Sequence, residues 1–173
     1  TGNDHKTSVQ WDDCSLRWYK DKLWLQTGKQ IPPCPTVNWP GNSMEVELGR
    51  DIGQLEFDIA DKSRYKALDL ESRASGAGFS VGARSDIQRS VISLGGHHKS
   101  LKNIFQSLEI PPWLRDSIPL CRQNGEIVAI GDWCFNETFV SWLSGHGLRL
   151  KWHPEHPLLR FILEQQHPVN IDS

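Results

Sequence analysis

The chain has 173 residues, 38% of them hydrophobic and 23% charged, with a formal net charge of −2. That length suits one well-buried core with appendages, and that composition excludes a disordered chain; no apolar run approaches the roughly 18 residues of a membrane span. The charge excludes a uniformly basic nucleic-acid coat, and Cys14, Cys34, Cys121 and Cys134, spread out with no C-x-x-C, fit reduced, buried thiols rather than a disulfide or zinc framework. The opening "TGNDHKTSVQ" is polar and offers no secretory signal, so a cytoplasmic location is expected. A start at Thr1 without an initiator methionine leads us to expect a piece of a longer protein.

In chain order, "SLRWYKDKLWLQ" alternates on both sides of Lys20-Asp21 and predicts a hairpin. "IPPCPTVNWP", Ile31 to Pro40, is too proline-dense for a helix or central strand and reads as a linker. "MEVELGRDIGQLEFDI" alternates twice around glycine-bearing turn residues and predicts a second hairpin. "DKSRYKALDLESRASGAG" has helical or loop character, and "FSVGAR" and "SVISL" read as short strands. Leu101, Ile104, Phe105 and Leu108 then follow the i, i+3, i+4, i+7 spacing of one helix face, stopped by Pro111-Pro112, which suit a short helical restart. Asn124-Gly125 between apolar runs predicts a third hairpin. "WCFNETFVSWL" and "GLRLKW" read as further strands, and the tail from Pro154 as an amphipathic turn or two. The eight tryptophans sit mostly in strand-like alternation, which predicts core packing or partial burial for most, packing being favoured even for Trp113, the one nearest to partial exposure.

The stretch "GGHHKSLKNIFQSLEIPPWLRD", residues 95–116, invites three chemical readings. A phosphate-binding G-x-x-x-x-G-K-[ST] loop fails on spacing, because the glycines stand three and four residues before Lys99. A metal site fails because adjacent His97 and His98 point apart, and Cys121, Cys134, His146, His153 and His156 have no zinc spacing. Nucleophilic catalysis is unsupported, since Ser100 lacks a G-x-S-x-G elbow and the acids form no acid–base pair. A basic helix remains: with the apolar stripe inward, Lys99, Lys102, Asn103 and Gln106 fall on the wet side, Arg115 follows, and the turn after Gly95-Gly96 offers amides to a phosphate. The charge distribution agrees, with six bases against three acids from Phe79 to Arg122 but eight acids against five bases from Met44 to Arg73.

"KSLKNIFQSLEIPPWLRDSIPL", followed by "GEIVAIGDWCF" and "GLRLKW", resembles the C-terminal region of the bacterial tRNA(Ile)-lysidine synthetase family, with "SLRWYKDKLWL" resembling the segment that enters it. The likeness runs in order from about Ser15 to Trp152 and leaves out the first dozen residues and the tail. It implies a parent ligase that uses ATP, with Mg, to adenylate the wobble cytidine of a tRNA(Ile) with a CAU anticodon, after which L-lysine displaces AMP. The S-G-G-x-D-S catalytic motif of that family does not occur in this sequence, so the fragment is expected to bind no cofactor and to be inactive alone. By the same resemblance, the fold is expected to be α+β, mainly β: a β-sandwich-like domain of unusual topology with one clear amphipathic helix and short helices packed on it.

The expected organisation is an N-terminal hairpin and connector at 1–40, a tRNA-binding domain at 41–153 and a tail at 154–173. The resemblance carries RNA contact onto Lys99, Lys102 and Arg115, with Arg84, Arg89 and His98 as further candidates and His97 behind them. Asn103 and Ser85-Asp86 depart from the family pattern, where a second lysine and a G-D pair are common, which points to a reduced phosphate grip or one shared with histidines. Expected partners are the tRNA, the N-terminal catalytic domain and a second copy in a homodimer, with no membrane. The competing expectation is a protein-interaction or dimerisation module with no RNA contact, and behind it a metal enzyme.

Overall fold

The computed structural model describes residues 8–39, 43–65, 78–86 and 91–166. The chain divides into two compact units, Thr1–Ile31 and Pro32–Ser173.

The first unit is a three-stranded antiparallel sheet of β1 (Ser8–Trp11), β2 (Cys14–Tyr19) and β3 (Lys22–Thr27), in that order. Lys20 and Asp21 both take positive φ, 44° and 57°, the backbone of a type I′ turn whose twist matches the flanking strands. Val9 pairs with Leu16 and Leu16 with Leu25, while Trp18 pairs with Leu23, so these large residues share one face.

In the second unit the strands run β4 (Val37–Trp39), β5 (Glu45–Glu47), β6 (Gln54–Ile59), β7 (Phe79–Gly82), β8 (Val91–Leu94), β9 (His97–Ser100), β10 (Leu120–Gln123), β11 (Glu126–Ile130), β12 (Cys134–Phe135) and β13 (Leu148–His153). The larger sheet has the order β4-β7-β10-β11-β8-β9, with β12 also on β11; only the β11–β8 pairing is parallel. The smaller sheet is β13-β6-β5, antiparallel throughout. Among the described residues three α-helices accompany them, α1 (Leu101–Ser107), α2 (Glu137–Gly145) and α3 (Pro157–Gln166). The chain also turns through 3-10 segments at Arg84–Asp86 and Pro112–Ser117.

An aromatic cluster joins the two sheets. Phe57 of β6 stacks on Trp39 of β4 with centroids 4.3 Å apart, and both lie near Phe79 of β7. Phe139 and Trp142, on adjacent turns of α2, close the cluster at 5.6 and 5.5 Å from Phe79. Rings at these separations contribute about 0.5–1.5 kcal/mol per pair beyond the area they bury.

The three predicted hairpins form where expected, and so does the helix stripe: Leu101, Ile104 and Phe105 are buried and Leu108 half-buried. The fold is mixed, with more strand than helix and several sheets. Three expectations differ. The linker read at Ile31–Pro40 contains β4, which pairs with β7, so the unit boundary falls at Ile31 rather than after Pro40. "NETFVSWLSG", read within a strand, is α2: the Asn136 side chain accepts a hydrogen bond from the Phe139 amide at 2.8 Å and caps it. The tail holds a ten-residue helix whose Leu159 and Ile162 are buried and whose Gln166 side chain donates to the Leu108 carbonyl. The tryptophans are mostly buried (Trp24, Trp39, Trp152) or half-buried (Trp113, Trp133, Trp142), as expected, with Trp11 and Trp18 exposed. Most of the small-residue stretch after Asp61 lies at 66–77, outside the described residues.

Candidate nucleic-acid interface

The residues between Gly95 and Asp116 form a strand, a short helix and a 3-10 turn rather than one basic helix. Gly95 and Gly96 take φ of 58° and 73° and close the β8–β9 hairpin. The Gly96 amide donates to the Glu137 carboxylate at 2.9 Å, so the amide expected to face a phosphate faces a carboxylate. Ser100 is the N-cap of α1 and accepts from the Asn103 amide at 3.2 Å, which satisfies one of the free N–H groups of the first turn. The cations here therefore act through their side chains.

Lys99 lies on β9, the edge strand of the larger sheet, opposite Ile92, and its side chain is exposed. His97 and Lys99 project to one side of the strand and His98 to the other, as alternation requires. Both histidines are exposed. Lys99 also stands close enough to Cys134 for its charge to oppose the upward push that burial gives that thiol. Lys102, in the first turn of α1, is exposed as well.

Arg115 departs from the expectation of an outward cation. It is only 6% exposed, its Nε donates to the Ile110 carbonyl at 3.0 Å, and its guanidinium lies over the Phe105 ring. The double proline turns the chain so that the arginine folds back over α1. Arg84 is half-buried in the 3-10 turn beside Asp86, whose carboxylate accepts from Thr36 Oγ1 and the Ala83 amide. Arg89 lies outside the described residues.

A second basic row comes from "GLRLKW", which the sequence marked only as a strand. Arg149 and Lys151 of β13 each approach Asp58 of β6 at 2.8 Å, and His153 approaches Glu56 at 2.8 Å. Hydrogen bonds from Lys151 and Arg149 hold the Asp58 carboxyl down at about 2. Arg149 and Lys151 thus share one carboxylate, whereas neither Lys99 nor Lys102 forms an ion pair with a described residue. Pairing across β6–β13 is a tertiary fact with no signal in residue spacing.

The four cysteines are free thiols; burial pushes Cys34 and Cys121 up to about 12, where they are inert toward metal or oxidant. Among the described residues, no three His, Cys, Asp or Glu side chains are grouped to hold a metal ion, and no helix is long and apolar enough to cross a membrane.

Residues 79–152, from the first residue of β7 almost to the end of β13, match the family model described as the TilS substrate C-terminal domain, and the matched stretch includes Arg84, Lys99, Lys102 and Arg115. Over most of its length the chain is similar to the C-terminal part of tRNA(Ile)-lysidine synthases. It is 28% identical over 153 residues to that of Xylella fastidiosa (strain Temecula1), covering 87% of this chain and 32% of the relative. With that of Alkalilimnicola ehrlichii it shares 30% identity over 76% of this chain and 28% of the relative, and with that of Xanthomonas axonopodis pv. citri 24% over 86% and 31%. The chain thus spans about a third of the length of the curated relatives it matches.

Proposed function

We propose that this region holds tRNA for a tRNA(Ile)-lysidine synthase, gripping ribose-phosphate with the β8–β9 hairpin and α1 while the chemistry proceeds elsewhere in the parent chain. The observation that carries this reading is the contrast between cations: Lys99 and Lys102 are exposed and in no ion pair with a described residue, while Arg149 and Lys151 both pair with Asp58. Lys102, on the helix seated by the buried Leu101–Ile104–Phe105 stripe, and Lys99, on the adjoining edge strand, suit backbone contact, which fixes orientation without reading sequence. His97 and His98, exposed on the same edge strand, extend the polar surface toward the hairpin turn.

The parent reaction, adenylation of the wobble cytidine of a CAU-anticodon tRNA(Ile) and attack by L-lysine, requires an ATP site. This sequence has no S-G-G-x-D-S motif, and the described residues present no cluster of metal-binding side chains, so no step of that chemistry is assigned to it. Stacking of Phe57 on Trp39 supports reading the two sheets of Pro32–Ser173 as a sandwich-like pair of layers that carries the binding edge. The test is tRNA affinity of the synthase measured against salt, with and without Lys99→Ala and Lys102→Ala. Salt-dependent binding that ignores both substitutions would refute the assignment.

A further inference from the structure

The sheet of the first unit has an apolar face open to solvent. Val9, Trp11, Trp18, Leu23 and Leu25 are 45–59% exposed. The register puts them together with Cys14, Leu16 and Thr27, so the described part of this face carries no charged side chain. The opposite face alternates properly and holds Arg17 and Lys22 as well as the buried Tyr19, Trp24 and Gln26. Three strands about 4.8 Å apart and some 20 Å long make the open face on the order of 300 Å². Contiguous apolar area of that size marks an interaction site.

Its chemistry selects the kind of partner. Exposed tryptophans could stack on bases, but nucleic-acid surfaces combine aromatic rings with cations that follow the phosphates, and here the cations Arg17 and Lys22 are on the other side. Aliphatic Val9, Leu16, Leu23 and Leu25 between the two rings, with no charge, match the interior of a protein. The relatives are about three times as long as this chain, and it matches only their C-terminal part, so in them most of the polypeptide precedes the segment corresponding to β1–β3. A covalent neighbour is present at high effective concentration, so a modest apolar patch suffices to hold it.

We propose that the Val9–Trp11–Leu16–Trp18–Leu23–Leu25 face is the docking surface for the part of the synthase chain that precedes this region, and that it fixes the tRNA-holding domain to the rest of the enzyme. The proposal rests on the reading of this chain as the C-terminal part of a longer synthase, but not on Lys99 or Lys102.

The experiment uses the full-length synthase with p-benzoylphenylalanine in place of Leu23, irradiated and mapped by peptide mass spectrometry, with the same probe at Lys22 as the opposite-face control. The expected result is an intramolecular cross-link from position 23 to peptides preceding this region, absent from position 22 and lost when Trp18→Asp and Leu25→Asp are added. An intermolecular product would assign the face to a second copy and overturn the proposal. An adduct to added tRNA would assign it to nucleic acid, and either adducts confined to this region or no adduct would leave the face without the proposed occupant; all of these overturn it. No arm reads tRNA affinity, so failure here is distinguishable from failure of the lysine assignment.

Discussion

 

The guanidinium carbon of Arg115 lies 5.9 Å from the centroid of the Phe105 ring, and its Nε donates to the Ile110 carbonyl at 3.0 Å. Together these contacts tie the proline turn back onto α1. Arg115→Ala is expected to lower unfolding free energy by about 2–3 kcal/mol, because it strands a carbonyl and leaves a void over the ring. Arg115→Lys should recover less than half of this, as an ammonium lacks the planar fork. Urea unfolding reads both, and the salt slope of tRNA binding should stay unchanged in the folded variants.

For Lys99 and Lys102, exposed and in no ion pair with a described residue, the expectation is reversed. Each substitution by Ala should lower the slope of log affinity against log salt by about one, and the pair by about two. Stability should change by less than about 0.5 kcal/mol, since neither side chain is part of the core.

Two glycines of the β5–β6 turn separate backbone strain from steric collision. Gly49 and Gly53 both have positive φ, 84° and 79°, but a Cβ on Gly49 would meet nothing within 4 Å, while one on Gly53 would lie 1.8 Å from the His153 carbonyl oxygen. Gly49→Ala should cost about 1 kcal/mol, and Gly53→Ala about 3 kcal/mol or more, because it pushes the turn away from the end of β13. Equal shifts in thermal unfolding would contradict this packing.

Asp58 links stability to acid. Its carboxyl is lowered from the ordinary 3.8 to about 2 by hydrogen bonds from Lys151 and Arg149. A depressed folded-state value means that the contribution is present above the unfolded value and lost as pH falls through the folded one. The urea midpoint of the wild type should therefore fall between about pH 4 and 2, and Asp58→Asn should flatten that part of the profile. High salt should weaken the difference, because the partner cations Arg149 and Lys151 are exposed to solvent.

Much of the local structure was legible in the residues. Lys20-Asp21 and Asn124-Gly125 mark hairpins because type I′ turns need two positive φ values, and the Leu101–Ile104–Phe105–Leu108 spacing admits only one buried helix face. Helix α2 was masked by residues in and just before it: Trp133, Phe135, Phe139 and Val140 favour a strand by propensity, yet Asn136 caps the turn and Phe139, Trp142 and Leu143 keep helical spacing. Trp18 and Leu23 show the converse, since alternation identified their strands but could not say which face is covered.

The sequence by itself determined where the chain turns, which stretches alternate and which helix face is apolar, because those depend on neighbours within a few residues. Only the tertiary structure decided which cations are available. Arg149 meets Asp58 across 91 positions of chain, and Arg115 turns inward over Phe105 while Lys99 is left on a sheet edge. A charge is neutralised by whatever the fold brings within a few ångströms of it, and that distance is not written in local spacing.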